Sequence, residues 1–164
     1  MITIGGQDLV FDPGQVVTGI EASSRSDALG VLAQRLVDAD LVAPDYLVHI
    51  LARESRFPTG LPVKPVGVAI PHTDPQHVRT SALAVGVLAE PVDFGIMGAG
   101  DDETTPVSVI FMLAIAAGTK HMNVLGSLTR LFRNGAFLEE IMSSSPDDIH
   151  STIINELTKS SRKK

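Results

Sequence analysis

Cysteine is absent from the 164 residues of this chain. Its absence excludes disulfide bonds, thiolate metal sites and cysteine nucleophiles together. It also fits a reducing compartment, where disulfides are rare. Any chemistry that the chain performs must use other side chains, and histidine, which occurs five times, is the main reactive type.

Long apolar runs and clusters of basic residues are missing as well. The longest strongly apolar stretch, residues 107–117, is about half of what a membrane-spanning helix needs. The N-terminal residues MITIGGQDLVF have no basic segment before an apolar one, so they are not a secretory signal. The net charge is −6, and Lys and Arg cluster only in the C-terminal KSSRKK. We therefore expect a cytoplasmic protein that is not embedded in a membrane and does not bind nucleic acid.

The composition predicts one globular domain. Hydrophobic residues make up 44% of the chain and charged residues 20%, which is typical of a folded soluble protein. The length is sufficient for one sizeable core, and the sequence has neither an internal repeat nor a low-complexity linker. We expect a single domain over residues 1–158 and a disordered basic tail over residues 159–164.

Predicted strands alternate with predicted helices along the chain. Ser24 with Asp27 resembles a capping box, and Pro44 suits the first turn of a second helix. Residues 107–115 are apolar at nearly every position, as in a central strand that is covered on both faces. The prediction is an α/β fold with a mixed β-sheet flanked by helices. Its predicted strands cover residues 2–4, 9–18 with a break at residues 12–14, 66–70, 82–88 and 107–115, and its later helices lie at about 120–132, 137–142 and 146–157.

The five histidines differ in their predicted positions. His49 and His150 fall inside predicted helices, among surface positions, so we expect both to be structural or merely exposed. His72, His77 and His121 lie in or beside predicted loops. The first two occur in VGVAIPHTDPQHV, where an apolar run is interrupted by proline and then histidine. Three interpretations compete for this segment: a metal site, a histidine that carries a covalent group, and an ordinary polar loop.

A metal site is poorly supported by the spacing. His72 and His77 are five residues apart with Pro75 between them, so they cannot share one helix face as the histidines of H-E-x-x-H do. Asp74 and His121 could complete a ligand set only through the tertiary structure. We predict no metal and no cofactor. A zinc enzyme that uses His72, His77 and His121 is kept as an alternative that elemental analysis of the protein decides.

A phosphoryl group on His72 satisfies the chemistry better. A phosphohistidine needs one ring nitrogen open to a partner and the other held by a hydrogen bond. Pro71 cannot donate to a sheet, so it ends strand pairing where the histidine ring is expected to project rather than be buried. The dianionic group needs donors and positive charge, which Thr73, Arg53 and His121 could supply. A strand followed by Pro-His is by itself weak evidence.

Three motifs in order strengthen this interpretation. GVAIPH with its following loop resembles the phosphorylation-site segment of sugar phosphotransferase-system EIIA domains of the fructose/mannitol type (EIIA type 2). ILARESRFPTGLPV resembles the helix and loop upstream of that site, and its FPTG is particularly similar to galactitol-type EIIA proteins. DDETTPVSVIFMLAI followed by GTKHMNVLGSLTRLF resembles the late strand and helix of the same family. The resemblance covers nearly the whole chain.

The resemblance implies roles for individual residues. His72 matches the histidine that accepts phosphate from the phosphocarrier protein HPr and passes it to a cysteine of EIIB. His121 matches the second active-site histidine, which is expected to stabilise the phosphoryl group, and Arg53 matches the arginine expected to orient the site. Glu54 and Thr73 are assigned supporting roles only. His77 lies in a region that varies in the family, so a polar loop residue is the better interpretation.

The resemblance also implies the partners. The chain would be the cytoplasmic EIIA component of a sugar phosphotransferase system, a protein-N-phosphohistidine–sugar phosphotransferase component. It has neither a cysteine of its own nor a membrane span, so we expect a stand-alone EIIA that works with a separate EIIB and a membrane EIIC. The sugar is not predicted beyond a galactitol-like polyol. A regulatory phosphoprotein of the nitrogen type, which would control partner proteins rather than transport, is the alternative.

Overall fold

The computed structural model describes residues 1–100 and 102–162, with side chains through Lys159. The strands in this part of the chain are β1 (Ile2–Ile4), β2 (Gln7–Leu9), β3 (Val16–Ile20), β4 (Gly60–Leu61), β5 (Gly67–Ala69), β6 (Ala82–Gly95) and β7 (Thr104–Ala114). The helices are α1 (Arg25–Asp38), α2 (Tyr46–Arg56), α3 (His121–Leu131), α4 (Gly135–Ser143) and α5 (Pro146–Arg162).

Five strands form one mixed sheet in the order β3-β6-β7-β5-β4. β6 and β7 are antiparallel neighbours at its centre, while β3 pairs with β6 and β5 pairs with β7 in the parallel direction. β4 closes one edge by antiparallel pairing with β5, and β1 and β2 form a separate hairpin. The predicted mixed sheet flanked by helices is confirmed.

Strand β7 separates two halves of the hydrophobic core. Val109, Phe111 and Leu113 pack into a cluster with residues of α3, α4 and α5. Ile110 and Met112 point to the other face, where they pack against α1 and α2. All five side chains are fully buried. The prediction of a central strand covered on both faces is therefore confirmed, and it follows from a strand that is apolar at odd and even positions alike.

One predicted break is confirmed, and several other element boundaries differ from those predicted. The break predicted at residues 12–14, within the strand over residues 9–18, is the short 3₁₀ turn Pro13–Gln15, because proline cannot donate to a sheet ladder. β6 continues to Gly95 past a shift in its register between Val87 and Val92. α5 remains helical through Arg162, so the predicted basic tail begins inside this helix, and its residues 163–164 lie outside the described residues. The predicted cap of α1 is confirmed, since the Ser24 side chain accepts a hydrogen bond from Asp27 N.

Two glycines allow the strands beside the GVAIPH segment to pack closely. A Cβ atom on Gly67 would lie 2.1 Å from the carbonyl oxygen of Pro106, and one on Gly60 would lie 2.5 Å from that of Gly95. Any side chain at either position would push the β4–β5 hairpin away from the centre of the sheet. Beyond β5, the Leu113 amide donates to the Pro71 carbonyl at 2.9 Å. The chain is thus held to β7 up to the residue before His72.

Candidate functional site

His72 has one ring nitrogen fixed by the main chain. Its Nδ1 lies 2.8 Å from the carbonyl oxygen of Ile70. A carbonyl oxygen can only accept, so Nδ1 carries the proton and donates it. In the neutral imidazole the lone pair then resides on Nε2. The Ile70 carbonyl, directly after β5, therefore selects the tautomer in which the lone pair lies on Nε2.

The His72 ring is more enclosed than the sequence predicts. We expected it to project from the sheet, but only 7% of the residue is exposed, because α2, α3 and the loop after the histidine surround the end of β5. Among the described residues, the fully covered side-chain nitrogens without a partner are Arg53 Nε and His121 Nε2. Nε2 of His72 does not belong to this group and has no described partner, so it retains contact with solvent. The small exposed part of His72 therefore includes Nε2, the atom that carries the lone pair.

His121 is the first residue of α3 and lies beside His72. The two ring centroids are 4.9 Å apart, and the ring planes are inclined by 60°. Nε2 of His121 is covered and unpaired among the described residues. A buried nitrogen without a partner loses the hydrogen bond it would make to water. An acceptor that enters between the two rings would restore it.

Arg53 approaches the same place from the last turn of α2. Its Nη1 lies 3.4 Å from Asp74 Oδ1, and its guanidinium carbon lies 4.9 Å from the centre of the Phe57 ring. Nε is covered and has no described partner. The guanidinium group is thus oriented by its carboxylate and its aromatic contact while one donor is left free.

Both histidines of the pair favour the neutral form. Burial lowers the pKa of His72, and the positive charges of Arg53 and of His121 in its protonated form lower it further, against the opposing effects of the Ile70 carbonyl and Asp74. Burial also lowers the pKa of His121, again with help from Arg53. A neutral imidazole has a lone pair to donate, whereas an imidazolium ion has none. The local electrostatics therefore favour a neutral His72 that has a lone pair to donate.

Glu54 supports this site from behind instead of touching it. Its buried carboxylate accepts hydrogen bonds from the Thr59 amide at 2.9 Å and from the Thr59 hydroxyl at 2.9 and 3.0 Å. The same hydroxyl accepts from the Ile70 amide at 3.2 Å. Burial raises the pKa of Glu54 to about 7, although the bonds from Thr59 and the charge of Arg25 oppose this. A continuous hydrogen-bonded chain therefore leads from Glu54 to the residue that fixes His72.

Thr73 and His77 lie in the loop that follows His72. Thr73 is 8% exposed and lines a cavity of about 260 Å³ together with Arg53 and Asp74. The His77 ring stacks on that of His49, with ring centroids 3.5 Å apart. Among the described residues, the close cluster of potential metal ligands contains His77 but neither His72 nor His121. The alternative of a zinc enzyme that uses His72, His77 and His121 is therefore wrong, because these three histidines do not form one ligand cluster among the described residues.

The sequence missed two features of this site. It gave Glu54 no partner, although the Thr of FPTG, five residues later, is the one that binds it. It also predicted that His49 is structural or merely exposed, because its contact with His77 depends on the tertiary structure. An Asp at position 45, four residues before His49, was the available signal for the second feature.

The arrangement as a whole suits group transfer to a nitrogen atom. It combines the accessible lone pair of His72 with a second neutral imidazole, His121, and with Arg53. Among the described residues, His121 and Arg53 each have one buried side-chain nitrogen without a hydrogen-bond partner. Such donors are suited to the equatorial oxygens of a phosphoryl group, which carry the negative charge during transfer.

The family comparison agrees with this architecture. Residues 9–156 match the family model described as "Phosphoenolpyruvate-dependent sugar phosphotransferase system, EIIA 2". The match covers most of the chain, so the chain belongs to this family. Proteins of this family are phosphotransfer components of the sugar phosphotransferase system. Among the described residues, no helix combines the length and the hydrophobicity that crossing a membrane requires.

Curated relatives include components of phosphotransferase systems and a transcriptional regulator. The chain is 32% identical over 137 residues to the 2-O-alpha-mannosyl-D-glycerate-specific EIIABC component of Escherichia coli K12, covering 80% of this chain and 20% of the relative. It is 30% identical over 123 residues to the transcriptional regulator ManR of Bacillus subtilis 168, covering 74% and 17%. It is 27% identical over 113 residues to the galactitol-specific EIIA component of E. coli K12, covering 69% and 74%. The chain thus spans about a fifth of the length of the first two.

Solved structures share the fold. The complex of mannitol EIIA with phosphorylated mannitol EIIB from E. coli superimposes with a TM-score of 0.73 and 21% identity, covering 88% of this chain and 97% of that one. The nitrogen regulatory protein IIA-Ntr from Neisseria meningitidis gives a TM-score of 0.66 and 24% identity, covering 86% and 94%. At these identities the likeness is evidence for the fold alone.

Proposed function

We propose that this chain is an EIIA component that carries a phosphoryl group on Nε2 of His72. It receives the group from phospho-HPr and passes it to a cysteine of an EIIB component during uptake of a sugar or polyol through a membrane EIIC. The observation that carries this proposal is the pairing of a fixed Nδ1 with an open Nε2, beside two covered nitrogens that lack partners.

The transfer consists of two displacements at phosphorus. In the first, the lone pair of Nε2 forms a bond to the phosphorus atom of phospho-HPr, and the bond from phosphorus to the HPr histidine breaks with its electron pair returning to that nitrogen. The His72 ring becomes positively charged, and its Nδ1–H bond to Ile70 O strengthens accordingly. In the second, a thiolate of EIIB attacks phosphorus and the electron pair returns to Nε2. Both steps need in-line positioning and neutralisation of charge, and neither consumes a cofactor.

His121 and Arg53 supply the charge stabilisation. The Nε2–H of His121 and the Nε–H of Arg53 donate to equatorial oxygens of the phosphoryl group, which gives both atoms the acceptors they otherwise lack. Thr73 is next to the carrier and its hydroxyl serves as an additional donor. Because Asp74 and Phe57 already orient the guanidinium group of Arg53, little reorganisation is needed when phosphate arrives.

Glu54 acts as a positioning residue. It holds Thr59, Thr59 accepts from the Ile70 amide, and Ile70 holds Nδ1 of His72. A change at Glu54 therefore reaches the carrier only through the main chain. It is expected to alter the stability of the hairpin and the orientation of the ring, and to leave the chemistry at Nε2 intact.

Partner docking uses exposed apolar side chains near the site. Phe57, at the end of α2, is 57% exposed, and Met122, in α3, is 74% exposed. Met97 is 41% exposed and lies beside β4, where its amide donates to the Gly60 carbonyl at 2.9 Å. HPr and EIIB dock in turn, so a small interface that forms and dissociates quickly is suitable. The chain works in the cytoplasm, where both partners operate, and it has no part in nucleic-acid binding.

The substrate of the transporter is a galactitol-like polyol or a related sugar. The FPTG segment and the match to the galactitol-specific component support this class, while the mannosylglycerate relative supports a wider one. A regulatory role is the second candidate, because the regulator ManR matches over 74% of this chain. A regulator would be phosphorylated in the same way but would not pass the group to an EIIB.

A reconstituted phosphorylation assay tests the proposal. Enzyme I, HPr and phosphoenolpyruvate should label the chain with one acid-labile phosphate, which addition of a galactitol-type EIIB should remove. Labelling without removal by any EIIB of the mannitol, fructose or galactitol types would favour the regulatory role. Absence of labelling would overturn both candidates.

A further inference from the structure

A second pair of histidines lies close to the phosphoryl site but is not part of it. Asp45 precedes α2 and His49 lies in its first turn, with Asp45 Oδ2 3.1 Å from His49 Nε2. His77 ends the short 3₁₀ turn Pro75–His77 in the loop after His72, and its ring stacks on that of His49 at an angle of 12°. One potential ligand atom from each of the three residues lies within 4.8 Å of the others. We refer to Asp45, His49 and His77 as the loop cluster.

The chemistry of the loop cluster matches a borderline divalent metal ion. Two imidazoles and one carboxylate are the ligands that Zn²⁺ accepts, whereas Mg²⁺ and Ca²⁺ require mainly oxygen ligands. With ligand bonds of about 2.0–2.2 Å, neighbouring ligands of a tetrahedral zinc ion are separated by roughly 3.3 Å. The 3.1 Å between Asp45 and His49 already agrees with this separation.

His77 must turn to complete the site. In parallel stacked rings the in-plane lone pairs run side by side, so they cannot meet at one ion. His77 is only half-buried and lines the open cavity of about 260 Å³, which leaves room for its ring to rotate and for water at a fourth position. Arg53 and Arg56 also line this cavity and oppose a cation, but Asp74 pairs with Arg53 and offsets part of that charge.

We propose that the loop cluster binds a zinc-like divalent transition-metal ion and so ties α2 to the loop that carries His72 and Asp74. The ion would bridge two segments that otherwise meet through ring stacking and the hydrogen bond of Ala43 N to His77 O at 3.0 Å. Such a bridge would restrict the motion of the loop at His77, while His72 and His121 remain metal-free. The site does not depend on the phosphotransfer function and can be tested without it.

The test is calorimetric titration of ZnCl₂ into the metal-free, untagged chain. One ion per chain should bind with micromolar or tighter affinity, and the thermal unfolding midpoint should rise in its presence. His49→Ala and His77→Ala should each weaken binding by at least about tenfold, a loss comparable to that seen for groups supporting a metal site. His150→Ala is the matched control, because His150 instead bonds to the Phe11 carbonyl at 2.7 Å, and it should bind zinc as the parent does.

The absorption spectrum of bound Co²⁺ tests the same site independently. Co²⁺ in place of Zn²⁺ should give the visible absorption of a tetrahedral nitrogen- and oxygen-ligated ion, and His77→Ala should remove it. Since His77 is half-buried in a loop, this variant is expected to fold, which its circular dichroism would show. Absence of micromolar binding by the parent chain would overturn the proposal. Binding that survives both loop-cluster variants but is lost in His72→Ala or His121→Ala would also overturn it, since the ion would then occupy the phosphoryl site.

Discussion

Two pairs of histidines lie on either side of one loop and have opposite environments. His72 and His121 are inclined to each other at 4.9 Å and have Arg53 beside them; His72 is buried, and His121 is half-buried with its Nε2 covered. His49 and His77 are stacked at 3.5 Å, are half-exposed, and have a carboxylate, Asp45, beside them. Residue type is the same in both, so the neighbours decide what each pair can bind.

The difference shows how histidine can contribute to an anion site or to a cation site, depending on its neighbours. Burial and a guanidinium group keep the first pair neutral and leave donors free, which suits an incoming dianion. A carboxylate and access to water make the second pair suitable for a cation. Phosphate is therefore expected to bind on one side of the loop and metal on the other, and variants of each pair should separate the two activities.

The largest effect is expected for His72→Ala, which should abolish labelling by HPr because no nucleophile remains at Nε2. His77→Ala is the matched change in the other pair and should label at the parent rate in metal-free buffer. Quantified phosphate incorporation with phosphoenolpyruvate, enzyme I and HPr provides the measurement. Labelling that follows His77 instead of His72 would reverse the assignment of the two pairs.

The next effect concerns Glu54. Its pKa in the folded state, about 7, lies above its ordinary value of 4.5. A raised folded-state pKa means that the stabilising contribution is complete below about pH 4.5 and is lost as pH rises through about 7. A shift of this size corresponds to a loss on the order of 3 kcal/mol in the free energy of unfolding.

Glu54→Gln should remove that pH dependence, because a neutral amide replaces the titrating acid. Chemical denaturation at several pH values from 4.5 to 8 measures the slope, and the exposed Glu90→Gln is the control that should keep it. An equally steep loss of stability in Glu54→Gln would show that another group is responsible.

A roughly hundredfold effect is expected for His121→Ala. It should still accept phosphate but should transfer it to EIIB about a hundred times more slowly, since one donor to the equatorial oxygens is lost. Rapid-quench measurement of onward transfer provides the rate. Transfer at the full parent rate would remove His121 from the mechanism.

The smallest effect is the response of the labelling rate to acid. The pKa of His72 lies below its ordinary 6.5, so the rate should stay level through neutral pH and decline only in more acidic buffer, by about tenfold per pH unit. Arg53→Ala should move this decline to higher pH, because it removes one cause of the lowered pKa. A decline centred above pH 6.5 in the parent chain would contradict the neutral state assigned to the ring.

Local patterns predicted more of the fold than of the site. The uniformly apolar β7 and the cap at Ser24 identified their elements correctly, because strand burial and helix capping depend on neighbouring residues. The change of register within β6 was not predicted, since no nearby residue encodes it.

The site depended on distances that no local pattern contains. The burial of His72 comes from α2 and α3, which precede and follow its strand at a distance in sequence, and the stacking of His77 on His49 likewise joins segments that are remote in sequence. The support from Glu54 required knowing that the Thr59 hydroxyl faces both the carboxylate and the Ile70 amide. Family resemblance suggested which residues to examine, but it could not supply these contacts.

The atom that carries phosphorus distinguishes Nε2 of His72 from every other candidate carrier. Phosphorus–nitrogen coupling in the phosphorylated, isotopically labelled chain identifies both the histidine and its ring nitrogen by NMR. The hydrogen bond from Nδ1 to Ile70 predicts a bond between phosphorus and Nε2 of His72. A phosphoryl group on Nδ1 of His72, or on any other histidine, would contradict the proposed function.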